Sequence, residues 1–130
     1  MPRFLGLDGA FAIHHEQIDA FGGTHGVRDQ ELPESAIGEA RSTYADANDV
    51  FEAAAQYCVS IAKNHPFLDG NKRAAAACML TFLVMNRIEP TLASAQLFDW
   101  TMQAAIGKLD REELASLLRD NSKPIGRRKK

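Results

Sequence analysis

Apolar residues recur along the chain with the spacing of α-helices, whereas the strict alternation typical of half-buried strands is scarce. The clearest example follows residue 50, where the residues on one helical face are Phe51, Ala54, Ala55, Cys58 and Ile61. Six helices are predicted, over about residues 9–21, 33–44, 50–64, 71–87, 94–107 and 111–120. The pattern therefore indicates an all-α fold of about six helices with no internal repeat.

Residues with capping chemistry mark several of the predicted helix ends. Asp8 is the predicted N-cap of the first helix, and the glycines at 22–23 are expected to end it. Asn48 or Asp49 is the predicted cap of the third helix. The run Asp-Arg-Glu-Glu at 110–113 resembles a capping box with Asp in place of Ser or Thr, and it is expected to open the sixth helix.

The longest nearly apolar run, residues 74–85, is interrupted only by Thr81. We therefore expect the fourth helix to be the central and most buried one. The run is well short of the roughly 20 residues that cross a bilayer, and residues 1–8 lack the continuous apolar core of a signal peptide. These features predict a cytoplasmic protein without a membrane partner.

The composition is that of a single globular domain. With 130 residues, 45% of them hydrophobic and 25% charged, the chain can bury one core without disulfides or metal, which excludes a disordered or disulfide-rich class. Cys58 and Cys78 have neither metal-binding nor redox spacing and lie among apolar residues. Both are expected in the core.

Positive charge is concentrated at the C-terminus. Five of the 15 Lys and Arg residues lie in the last eight positions, so the rest of the chain carries ten of them against 17 Asp and Glu. Because an acidic body repels the phosphate backbone, nucleic acid is not an expected partner. We predict one domain over residues 1–122 and a basic, disordered tail over residues 123–130.

One segment, residues 65–73, combines groups that carry chemistry, and it is called the signature loop below. It reads His-Pro-Phe-Leu-Asp-Gly-Asn-Lys-Arg and leads into the most apolar predicted helix. A helix start leaves backbone N–H groups without partners and has partial positive charge, so it favours an anion. Lys72 and Arg73 add positive charge where acidic residues are usually preferred. The segment therefore predicts a phosphate or carboxylate site.

The other polar residues of the signature loop suggest a reaction. His65 can accept a proton near neutral pH, and Asp69 can hold Mg²⁺ or orient a nucleophile. Gly70 permits a tight turn, and Asn71 offers both a donor and an acceptor. A base, an anion site and a carboxylate fit phosphoryl or nucleotidyl transfer.

Structural roles for the same residues remain open at this point. Phe67 and Leu68 are expected to anchor the loop in the core. Asp69 could cap the helix and pair with Arg73, and a histidine before a helix is more often structural than catalytic.

The signature loop resembles the H-P-F-x-D-G-N-x-R motif of the Fic/Doc superfamily, a specific nine-residue pattern. Within the superfamily it resembles the Doc (death-on-curing) toxins. Lys72 stands where nucleotide-transferring Fic enzymes usually have Gly, and Ala76 where they usually have a second Arg. Residues 21–23, 26–29, 34–37 and 48–54 are also similar to Doc sequences, and the resemblance spans about residues 13–118. Two positions depart from Doc: Ala77 stands where Doc often has Asn, and Gly70 where some Doc proteins have Ala.

This resemblance implies a Fic/Doc-type bundle of about six helices with the signature loop between two central helices. It also implies a toxin of a toxin–antitoxin pair that uses ATP and Mg²⁺ and transfers the γ-phosphate to a threonine of translation elongation factor Tu. In that view His65 and Asp69 are catalytic, with Asp69 a ligand of Mg²⁺, and the residues that bind the phosphates are Gly70, Asn71, Lys72 and Arg73. The implied partner is a Phd-type antitoxin whose C-terminal segment folds into a groove.

Two alternatives to the kinase remain: AMP transfer of the Fic type, and an inactive module that only binds its antitoxin. The candidate residues for the antitoxin groove are Leu97, Trp100 and Leu114, with a core position as the alternative for Trp100.

The remaining polar candidates are assigned structural roles. Arg28 and Asp29 are predicted to form a turn pair. His14 and His15 cannot share a helix face, which argues against a metal site there, and His25 is expected to be solvated.

Overall fold

The computed structural model describes residues 2–29 and 31–126, which form six α-helices and one short antiparallel strand pair joined by loops. The helices are α1 (Leu7–Phe21), α2 (Glu31–Ala47), α3 (Val50–Asn64), α4 (Asn71–Met85), α5 (Ser94–Ala105) and α6 (Arg111–Asp120). The strands are β1 (Ile88–Pro90) and β2 (Ser122–Pro124). The predicted all-α class is confirmed, and the signature loop joins α3 to α4.

Helix α3 is the centre of the bundle. It packs against α2, α4, α5 and α6, and eight of its residues are buried. The prediction that α4 would be the most buried helix was wrong, because α4 turns one partly open side, with Ala76, Ala77 and Leu80, toward a groove. Cys58 and Cys78 are free and fully buried, as predicted, and burial raises the pKa of both thiols to about 12.

Local capping chemistry fixes several helix ends. Asp49 caps α3 by accepting a hydrogen bond from Phe51 N at 2.8 Å. Asp110 caps α6 with the predicted capping box, in which Glu113 N donates to Asp110 Oδ1 and Asp110 N donates to Glu113 Oε1. The N-cap predicted at Asp8 was wrong, since the helix already starts at Leu7 and Asp8 lies in its first turn, where negative charge favours a helix N-terminus.

The strand pair ties the C-terminal segment to the bundle. Ile88 pairs with Pro124 and Pro90 with Ser122, with β1 beside α4 and β2 beside α6. The region predicted as a tail from residue 123 therefore begins inside a strand, because Lys123 faces Glu89 across the pair. The rest of that predicted tail, residues 127–130, lies outside the described residues. None of the helices in the described ranges is both long and apolar enough to cross a membrane.

Candidate functional site

His65 lies directly after α3 in the left-handed region of backbone conformation, with φ 51° and ψ 57°. That conformation costs a non-glycine residue roughly 1–2 kcal/mol, so the surroundings must hold it. Arg28 does so, because its Nε donates to the carbonyl of His65 and its Nη2 to the carbonyl of Asn64, both at 2.7 Å. A cation at these last carbonyls also complements the helix dipole. The imidazole of His65 is presented at the surface.

Phe67 anchors the signature loop in the core and is 2% exposed. Asn71 holds its backbone at both ends, since Phe67 N donates to Asn71 Oδ1 at 2.9 Å and Asn71 Nδ2 donates to Phe67 O at 3.0 Å. A β-bridge to Val27 adds two more backbone hydrogen bonds. The role of Phe67 as a core anchor is confirmed. The same prediction for Leu68 was wrong: it is 56% exposed, because its side chain lies over the exposed Gly26.

His14 is a buried part of the site that the sequence did not single out. Its ring stacks on Phe67 with a centroid distance of 3.8 Å, and its Nε2 lies 2.7 Å from the carbonyl oxygen of Asp69. The carbonyl can only accept, so Nε2 carries the proton. Burial lowers the pKa of His14 below its ordinary value, although the hydrogen bond to Asp69 opposes that change. Neutral His14 therefore stabilises the signature loop from its buried side by donating a hydrogen bond to the Asp69 carbonyl.

Asp69 presents an exposed carboxylate that joins two loops. Its Oδ2 accepts from Thr24 N at 3.1 Å and its Oδ1 from Gly70 N at 2.8 Å. These two N–H groups hold the pKa of Asp69 below its usual range, and the positive charge of Arg73 adds to the effect. No ion pair with Arg73 forms among the described residues. The carboxylate is thus ionised at neutral pH, with lone pairs left for a cation.

Gly70 is the N-cap of α4, and its backbone conformation favours glycine. Its φ is 74°, a value that L side chains rarely adopt, and a Cβ there would lie 2.9 Å from Ile18 Cδ1, the end of a flexible side chain that can move. The turn into α4 therefore forms with least strain when this residue is glycine.

The N-terminus of α4 has the properties of an anion site. Gly70 N is taken by Asp69, while the N–H groups of Asn71, Lys72 and Arg73 have no acceptor among the described residues. Lys72 is exposed and makes no ion pair within these residues. Arg73 uses one N–H on the carbonyl of Gln17, at 3.3 Å, which leaves most of its donors available.

An apolar groove of about 510 Å³ starts at Lys72 and Arg73 and runs between α1, α4 and α5. It is called the α1–α4–α5 groove. Its lining residues are Gln17, Phe21, Lys72, Arg73, Ala76, Ala77, Leu80, Ser94, Leu97, Phe98, Thr101 and Met102. Phe21 and Phe98, on opposite sides, are 70% and 68% exposed. A groove with one cationic end suits an elongated ligand with an anionic part and an apolar part.

The residues predicted for an antitoxin groove divide between the groove and the core. Leu97 lines the α1–α4–α5 groove as predicted. Trp100 is 9% exposed and lies in the core, which was the alternative for this residue. The prediction for Leu114 was wrong: it is fully buried, because it lies on the face of α6 that packs inward.

The structure thus places His65, Asp69 and the α4 N-terminus in the signature loop. Three residues that support this loop were missed in the sequence: Arg28, Thr24 and His14. Arg28 does not pair with Asp29; it binds the end of α3, and Asp29 instead accepts from Glu31 N at the start of α2. The backbone of Thr24 carries no sequence signal. His14 could have been found, because it shares the buried face of α1 with Ala10 and Ile18 at the helical spacing of four.

Comparison with known proteins agrees with this geometry. The family model described as "Fic/DOC family" matches residues 4–83, which include the whole signature loop. The chain therefore belongs to the Fic/Doc family.

Within that family the chain is similar to two Doc proteins. It is 35% identical over 119 residues to "Protein kinase doc" of Escherichia phage P1, covering 90% of this chain and 94% of that protein. It is 40% identical over 73 residues to "Toxin Doc" of Mycolicibacterium smegmatis, covering 54% of this chain and 56% of that protein.

Proposed function

We propose that this protein is a Doc-like toxin that transfers the γ-phosphate of ATP to a hydroxyl group of a target protein. The single observation that carries the proposal is the N-terminus of α4, which lies at the mouth of the α1–α4–α5 groove. Three backbone N–H groups there have no acceptor among the described residues, and the side chains of Lys72 and Arg73 add positive charge. Two relatives named as a Doc kinase and a Doc toxin support it.

His65 is the proposed general base. It takes the proton of the target hydroxyl as that oxygen forms a bond to the γ-phosphorus, while the bond from the γ-phosphorus to the β–γ bridging oxygen breaks and ADP leaves. The surface position of the imidazole supports this role, because a protein substrate must reach it. Arg28 is the positioning residue, since it holds the backbone of His65.

The phosphates are assigned to the start of α4. The N–H groups of Asn71, Lys72 and Arg73 and the two cationic side chains are donors for phosphate oxygens. The side-chain amide of Asn71 already uses both ends on Phe67, so its proposed contribution to the phosphates is its backbone N–H.

Mg²⁺ is the metal that suits Asp69. A single exposed carboxylate with spare lone pairs is the kind of ligand that Mg²⁺ uses together with phosphate oxygens and water. The ion would supply charge neutralisation for the transferred phosphoryl group.

Transfer of phosphate rather than AMP is favoured by the side chains along α4. Ala76 lies one turn beyond Lys72 on the groove side, where no second Arg is available for the α- and β-phosphates. Lys72 instead provides an exposed point charge suited to a terminal phosphate. The proposed target, by resemblance to the Doc family, is a threonine of elongation factor Tu.

A Phd-type antitoxin is the proposed partner, with apolar side chains of its C-terminal segment in the α1–α4–α5 groove. The exposed Phe21 and Phe98 at the groove edges support this, because exposed aromatic residues are typical anchors of peptide interfaces. The cognate peptide should raise the melting temperature of the protein, since a ligand that binds only the folded state stabilises it. Phe98→Asp should abolish that gain, whereas Ile106→Asp, at an equally exposed position outside the groove, should keep it.

The experiment that tests the proposed reaction compares the wild type with His65→Ala. Purified protein, ATP, Mg²⁺ and elongation factor Tu or cell extract are incubated, and the modified target is identified by mass spectrometry. We expect phosphate on the target with the wild type and none with His65→Ala, although the variant keeps the melting temperature. Full activity of the folded variant would remove His65 from the mechanism. Absence of any modification by the wild type, with antitoxin binding intact, would favour the inactive module.

A further inference from the structure

Two histidines and one carboxylate converge on the surface at the end of α1. His15 and Asp19 are one helical turn apart, with His15 Nε2 3.1 Å from Asp19 Oδ2. His25, in the loop after α1, brings its Nε2 to within 2.9 Å of the other oxygen, Asp19 Oδ1. The two imidazole rings lie against each other with a centroid distance of 4.4 Å. His25 was expected to be only solvated, but its ring contacts Asp19. His14 is buried and His15 exposed, so the two lie on different sides of the helix, as predicted.

The chain returns over α1 because of the glycines that follow it. Gly22 and Gly23 have φ of 88° and 123°, values that L side chains rarely adopt. They let the loop turn so that His25 reaches Asp19 on the last turns of α1. The cluster therefore depends on the loop conformation as well as on the spacing of four within the helix.

We propose that His15, Asp19 and His25 form a binding site for one divalent transition-metal ion, of which Zn²⁺ is the best fit. One ligand atom from each residue lies within 4.8 Å of those of the other two. Tetrahedral Zn²⁺, at about 2.0–2.1 Å from its ligands, separates neighbouring ligand atoms by roughly 3.4 Å, so small side-chain rotations bring the three atoms to this geometry. Exposed side chains make such rotations freely.

The chemistry of the ligands decides the class of ion. Two imidazole nitrogens and one carboxylate oxygen suit Zn²⁺, Ni²⁺ or Cu²⁺, whereas Mg²⁺ prefers oxygen ligands throughout. All three side chains are exposed, at 66%, 59% and 47%, so the fourth position is open to water. The site is thus different in kind from the one proposed at Asp69, and it does not depend on the proposed function.

Occupancy of this site would also affect the signature loop. Thr24, next to His25, donates its N–H to Asp69 Oδ2. An ion that joins His25 to α1 fixes the segment 22–26 that carries this contact and the bridge from Gly26 to Leu68. We therefore expect Zn²⁺ to slow amide hydrogen exchange in residues 22–26.

The test is a Zn²⁺ titration of the tag-free, metal-free protein in competition with a chromophoric chelator. We expect one Zn²⁺ per chain, and an affinity weakened on the order of ten-fold or more by His15→Ala, His25→Ala or Asp19→Asn. Mg²⁺ should not displace the bound Zn²⁺. Glu16→Gln is the matched control: it removes an acidic group on the same exposed stretch of α1 and should leave the affinity unchanged.

Three results would overturn the proposal. The first is that the protein does not bind Zn²⁺ stoichiometrically. The second is that the His25→Ala variant binds Zn²⁺ as tightly as the wild type. The third is that Asp69→Asn loses Zn²⁺ binding while His25→Ala keeps it, which would place the ion at the signature loop. Unchanged hydrogen exchange in residues 22–26 of the Zn²⁺-bound protein would contradict the coupling to that loop.

Discussion

Replacement of Arg28 tests whether the conformation of His65 is held from outside the signature loop. Arg28→Ala removes the two hydrogen bonds, each of 2.7 Å, to the carbonyls of His65 and Asn64. The left-handed conformation of His65, which costs roughly 1–2 kcal/mol, is then no longer stabilised by these two hydrogen bonds. We expect the end of α3 to relax and the imidazole to move.

The effect on stability should be moderate because Arg28 is exposed. Each hydrogen bond of a solvated guanidinium contributes about 0.5–1 kcal/mol, so the variant should lose about 1–2 kcal/mol of unfolding free energy. For a domain of this length one kcal/mol corresponds to about 4 °C, which predicts a melting temperature lower by about 4–8 °C. A displacement of a general base by about 1 Å costs on the order of 100-fold in rate, so activity should fall far more than the folded fraction.

The assay measures the initial rate of phosphate transfer and the melting temperature of the same preparations. Asp29→Ala is the matched control, since the neighbouring carboxylate accepts from Glu31 N and makes no hydrogen bond to the signature loop. It should cost about 1 kcal/mol of stability, as the loss of a cap does, and leave the transfer rate unchanged. Arg28→Ala with a normal rate, or equal rate losses in both variants, would refute the positioning role.

Three further predictions concern the signature loop and its support. Lys72→Ala should lower the transfer rate on the order of 100-fold and leave the melting temperature unchanged, whereas Lys63→Ala, an exposed lysine on α3, should change neither. Asn71→Ala should lower the unfolding free energy by about 1–3 kcal/mol in urea titrations, because it removes both partners of the Phe67 backbone. His14 has a lowered pKa in the folded state, so the stability it contributes is complete above the unfolded pKa of about 6.5 and is lost as the pH falls below it. His14→Gln should therefore lose less stability than the wild type between pH 7.5 and 5.5 in urea titrations.

Each of these three has a clear contradicting result. A strong rate loss in Lys63→Ala would show that general positive charge matters rather than Lys72. Unchanged stability of Asn71→Ala would mean that its amide does not hold the loop. A wild type and a His14→Gln variant with identical pH dependence would show that protonation of His14 does not govern the loss of stability.

Helix positions with local causes could be predicted from the sequence. Val50–Asn64 was predicted with both ends correct, because its apolar face and the cap at Asp49 act within a few residues. The capping box at Asp110 is equally local. The strand pair could not be predicted, since Ile88 and Pro124 are far apart in sequence and each strand has only three residues.

The candidate site also combines a part with a local sequence signal and a part that depends on contacts between distant residues. The signature loop was found because its chemistry is contiguous in the chain. Its supports lie far away in sequence: Arg28 contacts His65 across 37 residues and His14 contacts Asp69 across 55. The helical spacing of α1 marks His14 as buried, but no local pattern specifies which residue either side chain contacts. These contacts arise only when α1 and the loop after it pack against the start of α4.

Phosphate transfer is distinguished from AMP transfer with two preparations of ATP, one radiolabelled at the γ-phosphate and one at the α-phosphate. Purified protein and Mg²⁺ are incubated with elongation factor Tu, or with cell extract, in parallel reactions. We expect label on the target protein from γ-labelled ATP alone, and no label from either preparation with His65→Ala. Label on the target from α-labelled ATP would contradict transfer of the γ-phosphate and would assign AMP transfer to the signature loop.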